Sequence, residues 1–143
     1  MNYRITLLFL AVLQSAFIFA QNDTIPPSLV NFQSSETCID VTSSSVSIDL
    51  TVEATDNLLG VNSVLAFVRS PNNSINSAAL NLVSGTPQNG IFGATMTFDT
   101  TTVEGTHEFE LHLTDVAGNF VIIDQSDLSN MGFQDTLLSL IHI

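Results

Sequence analysis

From residue 28 onward, apolar and polar residues alternate along the chain. Val46, Ile48, Leu50, Val52 and Ala54 are separated by Ser47, Asp49, Thr51 and Glu53. A period of two puts one face in a core and the other in water, which predicts a strand over 46–54. Residues 107–114 repeat the pattern, with Phe109, Leu111 and Leu113 inward and Glu108, Glu110 and His112 outward. Over 91–98, Phe92, Ala94, Met96 and Phe98 share a face. Residues 61–68 are more uniformly apolar and suit an inner strand, and shorter strands are expected at 29–32, 39–41, 79–83 and 120–123. The polar stretch 69–77 contains Pro71 and reads as a loop. Residues 126–132 predict one helical turn, started by Ser126 and left through Gly132. Seven or eight short strands with turn signals at intervals of about ten residues predict an all-β, antiparallel sandwich. Each sheet must cover the other, since no long helix is available.

The first twenty residues depart from this pattern. A short start with Arg4, an unbroken apolar run over 7–13 and a small residue at Ala20 form the pattern of an export signal, cleaved after Ala20. A spanning helix fits less well, because Gln14 and Ser15 interrupt the apolar run. The domain is expected over 21–137. Residues 138–143, Leu-Ser-Leu-Ile-His-Ile, are also the translation of CTG-TCT-CTT-ATA-CAC-ATC, the end of a transposon adapter used in sequencing libraries. They are read as a non-native tail, with the gene continuing beyond about Leu137; the alternative is a natural apolar final strand.

Charge narrows the partners. After cleavage one basic residue, Arg69, faces 14 acidic ones, a formal charge of −13. Such a chain repels phosphate backbones and anionic membrane surfaces, which sets nucleic-acid binding aside. Divalent cations are its natural small partners. Cys38 is the single cysteine, so no internal disulfide forms. It is expected to be a quiet buried hydrophobe.

Three acidic turns border the strands: Asp23 to Pro27, Thr55 to Gly60 and Thr114 to Asn119. With the later Ser-Asp-Leu-Ser-Asn-Met-Gly-Phe at 126–133, they resemble the Ig-like (cadherin-like or fibronectin-like) β-sandwich modules of bacterial extracellular proteins. The likeness covers most of 23–137. It implies a non-catalytic part of a secreted or surface protein, used in spacing, adhesion or presentation. Some cadherin-like relatives hold calcium at interdomain poles.

In an Ig-like sandwich the start of the first strand, the loop after the second and the loop before the last lie at one end. That places Asp23, Asp56 and Asp115 together, with Asn57 and Asn119 adding neutral oxygens. Calcium takes six to eight oxygen ligands, and this set with backbone carbonyls and water would supply them. The competing reading is that these Asp and Asn residues only shape turns, while Gly60 and Gly118 take positive φ. Without a cation, clustered carboxylates should raise one another's pKa.

Catalytic signals are lacking. His107 and His112, five apart on one strand, point to opposite faces, and His142 lies in the tail. No nucleophile elbow and no phosphate-cradling glycine loop is present. The expectation is a non-catalytic structural or adhesion module, the N-terminal part of a longer secreted or surface protein. Its partners would be neighbouring domains of the same chain, a cell-surface protein or a glycan. The alternative is a carbohydrate-binding accessory module of a secreted hydrolase. Against it, the mature sequence has no Trp or Tyr, and most of its Phe residues fall on the inward parity.

Overall fold

Burial follows the alternation. In the computed structural model, which describes residues 22–140, the strand β3 (Val46–Thr55) buries Ile48, Leu50, Val52 and Ala54 and exposes Ser47, Asp49 and Thr51. The proposed leader over 1–20 and His142 lie outside the described residues. The remaining elements are β1 (Ser28–Ser34), β2 (Cys38–Asp40), β4 (Val61–Arg69), β5 (Ile75–Thr86), β6 (Asn89–Phe98), β7 (Gly105–Asp115), β8 (Phe120–Ile123), α1 (Gln125–Met131) and β9 (Thr136–Leu140). Among the described residues, no helix is long and apolar enough to cross a membrane.

These strands form one continuous curled sheet, ordered β1-β3-β6-β5-β4-β7-β9-β2, with β8 also paired to β7. β5 makes the curl. Its first half pairs with β4 from Ile75 to Leu80, and its second half pairs with β6 from Asn81 to Thr86. The shift between Leu82 and Ser84 leaves Val83 as the extra residue, a bulge that bends the strand. The apolar faces of the two halves then meet. Phe32 of β1 and Phe109 of β7 touch edge to face with ring centroids 5.1 Å apart. β9 joins β7 antiparallel and β2 parallel, so residues from three distant parts of the chain close one edge.

Several local expectations are corrected. Cys38 is exposed, not buried. β2 is three residues long, and Ile39 takes its one inward position. The loop expected over 69–77 is shorter, because β5 begins at Ile75; Pro71 does lie in the turn. The helix is capped by Asp124 rather than Ser126. The Asp124 carboxylate accepts from the Asp127 amide at 3.0 Å, and the Ser126 hydroxyl donates to the same carboxylate. Gly132 leaves the helix at φ 79°, as expected.

Two inward positions carry polar side chains. His107 is fully buried beneath Ser70. Its Nε2 donates to the Val103 carbonyl at 3.0 Å, and its Nδ1 is 3.0 Å from the Ser70 hydroxyl, so both ring nitrogens are satisfied. Ser139 is also buried, but its hydroxyl has no partner. Residues 138–140, set apart in the sequence, continue β9, and the backbone alternation turns Ser139 into the core beside Leu137. A buried hydroxyl without a partner costs about 1–3 kcal/mol. Ser139→Ala is therefore expected to stabilise the domain by about 1 kcal/mol, read as a higher urea midpoint at unchanged slope.

Candidate metal centre

Three turns meet at one end of the curled sheet: the entry to β1, the β3–β4 turn and the β7–β8 turn. They bring together Asp23, Asp56 and Asp115, which are 6%, 8% and 1% exposed. One carboxylate oxygen from each lies within 4.8 Å of the other two.

Each turn is shaped around its own aspartate. Asp56 Oδ2 accepts from the Leu58 amide at 3.1 Å and the Gly60 amide at 2.7 Å, which folds the turn over the carboxylate. Gly60 sits at φ 95°, and a Cβ there would lie 2.7 Å from Cβ of Pro87. In the third turn the Asn119 backbone amide donates to Asp115 Oδ1 at 2.8 Å. The Asn119 side-chain amide donates to Asp115 Oδ2 at 2.7 Å, and Gly118 has φ 93°. Asp23 Oδ1 accepts from its neighbour Ile25 at 3.3 Å.

Other bonds tie the turns to one another. Leu59 of the second turn donates to Asp23 Oδ2 at 3.1 Å. The Asn119 side chain reaches the Asp23 carbonyl at 3.1 Å. Val116 donates to the Gly60 carbonyl at 3.1 Å, while Pro87 and Gln88 of the β5–β6 turn accept from Val61 and Asp56. The centre is thus set by three segments far apart in sequence.

Among the described residues, no ion pair involves any of the three aspartates. Their charge is met by amide dipoles instead. At Asp115 burial pushes the carboxyl up and is the largest single influence. Hydrogen bonds from the Asn119 side chain and from the backbone of Asn119, Gly118 and Ala117 together outweigh it, so the group lies below its ordinary 3.8. The rise expected of clustered carboxylates is therefore not seen at this aspartate. Asp56 is different. Its Oδ2 has two amide donors, but its Oδ1 is buried with no hydrogen-bond partner. A buried, unpartnered carboxylate oxygen beside two more carboxylates is a strong attractor for a hard, oxygen-seeking cation.

The five residues singled out in the sequence fall into distinct places. Asp23, Asp56 and Asp115 converge. Asn119 is also there, but it presents its amide nitrogen to the carboxylates and acts as a strut between Asp115 and Asp23. Asn57, next to Asp56, is exposed. Sequence reasoning did not reach the amides of Leu58 and Leu59, whose side chains carry no sign of the role.

Residues 21–139 match the family described as Domain of unknown function (DUF7743), and the chain belongs to that family. The description names neither an Ig-like nor a cadherin class. No curated protein matches the sequence. Among solved structures, the chain is similar to one assigned to the ApaA protein from Bordetella pertussis, at 15% identity over 71% of this chain and 91% of that one, with a TM-score of 0.36. A likeness of that size carries no argument about function.

Two outcomes follow from this geometry. Gly60→Ala must place a side chain at positive φ against Pro87, and should destabilise the domain by roughly 2 kcal/mol or more in chemical denaturation. Asp115 has a lowered folded-state pKa, so its stabilising contribution is present above 3.8 and is lost as pH falls through the folded value. Melting temperatures measured from pH 6 down to about pH 2 should fall less steeply for Asp115→Asn than for the wild type.

Proposed function

We propose that this member of the DUF7743 family is a non-catalytic extracellular module, structural or adhesive, folded as an Ig-like sandwich and stiffened by calcium. The ion would bind between Asp23, Asp56 and Asp115. The observation that carries this reading is the convergence of three buried carboxylates from separate segments, with Asp56 Oδ1 left without a partner. Calcium binds oxygens at 2.3–2.6 Å, so two ligands across the ion are at most about 5 Å apart. The three carboxylate oxygens, all within 4.8 Å, already satisfy that limit. Waters and backbone carbonyls would complete the shell.

The strand order supports the Ig-like assignment. β1-β3-β6-β5 on one half and β4-β7 on the other would match the two sheets of an immunoglobulin sandwich. Export through the leader over 1–20 agrees with a mature chain of formal charge −13 and one basic residue, soluble by its charge and suited to a cation. Ile25, Leu59 and Val116 are exposed on the same three turns, and this apolar rim favours a neighbouring domain of the longer chain as the partner at this pole. The buried His107, with both nitrogens engaged, speaks for a structural rather than a catalytic role.

Calcium that binds only the folded state stabilises it by about 2.7 kcal/mol at a hundredfold excess over Kd. For a domain of this size that corresponds to a rise on the order of 10 °C in Tm. The wild type should show this rise on going from chelator to calcium, and Asp56→Asn should not. Identical melting of the wild type in calcium and in chelator would refute the site.

A further inference from the structure

The outer face of the half-sheet formed by β4, β7 and β8 carries side chains that neither the core nor the cation centre uses. We propose that this face is a binding platform for neutral saccharides, separate from the calcium reading and independent of it.

Register places the aromatic groups. On β4, Phe67 points outward between the buried Ala66 and Val68. It lies opposite Glu110 of β7, and His112 of β7 lies opposite Ile122 of β8. Phe120 is opposite Thr114, one diagonal step from His112. Phe67, His112 and Phe120 therefore cross three neighbouring strands on one face. The Phe67 and His112 rings are 4.6 Å apart and tilted by 49°. Phe120 is 65% exposed.

A cleft of about 380 Å³ adjoins the Phe67 and His112 rings. Arg69, Glu108 and Glu110 line it, together with Asp124 at the start of α1. Arg69 is the one basic residue of the described chain, and it makes no ion pair among the described residues although Glu108 is its register partner. Glu110 Oε1 lies 2.6 Å from His112 Nε2, which braces that ring within the platform.

The chemistry of these groups selects the ligand. A guanidinium only donates and a carboxylate only accepts, whereas each sugar hydroxyl does both and can serve either. The C–H face of a pyranose ring covers an aromatic face, and its hydroxyl rim meets the charged groups. An anionic sugar or a phosphate would meet three carboxylates against one arginine and be repelled. The cleft volume is at the small end of the range for small-molecule sites. The Phe120 ring, beyond the cleft, extends the contact, which fits an oligosaccharide better than a single sugar.

The test is a glycan array of neutral gluco-, xylo- and manno-oligosaccharides, followed by calorimetric titration of the full chain with the best of them. At least one should bind, in calcium and in chelator alike. Phe120→Ala and Arg69→Ala should each weaken binding by about tenfold, with unchanged melting as the check on folding. Val83→Ala, at an exposed position on the other half-sheet, should leave affinity unchanged. Retention of no neutral oligosaccharide, retention of anionic glycans alone, or indifference to Phe120→Ala would overturn the proposal. So would loss of binding in chelator, which would put the ligand at the cation pole. Saccharide binding without any calcium effect on melting would leave the platform standing and remove the calcium centre.

Discussion

A sheet with one apolar face must have that face covered, and the described residues offer a seven-residue helix with one buried residue for the purpose. The sheet covers itself instead. β5 pairs with β4 along its first half and with β6 along its second, and the bulge at Val83 lets one strand belong to both halves. Phe32 and Phe109 then meet across the interior. Truncating such a buried aromatic typically costs about 3–5 kcal/mol, a large part of the roughly 5–15 kcal/mol that holds a domain folded. Without this closure the strand ends would not be brought to a common pole.

The pole is a consequence of closure and also a burden on it. Three carboxylates out of water repel one another and lack a basic partner among the described residues. The Asn119 side chain and backbone amides from the same turns offset much of that cost, enough to leave Asp115 below its usual pKa despite burial. They do not reach Asp56 Oδ1. The turns are therefore preorganised by hydrogen bonds that run between them, while one buried acceptor stays unsatisfied. Such an arrangement would take a cation with little rearrangement, and the ion would complete a network already tied together by Asn119 and Leu59.

β7 connects the two candidate sites. Its inward residues Phe109, Leu111 and Leu113 are in the core, and its last residue, Asp115, lies at the pole. Its outward residues Glu108, Glu110 and His112 face the cleft. Strand geometry keeps these roles apart, because successive side chains point to opposite faces. A ligand on the outer face and an ion at the strand end would thus contact the same rigid element without competing for a residue.

Much of this was legible in the residues themselves. The alternation over 46–54 and 107–114 was enough to place β3 and β7 and their inward faces, because burial on one face of a strand imposes a period of two. Asp23, Asp56 and Asp115 were recognisable as turn residues beside strands, and assuming strand order was sufficient to gather them. Short-range pattern did not reach Cys38, because a three-residue strand has too little alternation to show which side faces in. Nor did it reveal that β5 serves two halves, that Asn119 turns its amide nitrogen to the carboxylates, or that Phe67 and Phe120 line up outside. Those outcomes depend on which strands become neighbours and in what register. Pairing is decided by how one apolar face closes on the other, over separations that no local pattern encodes.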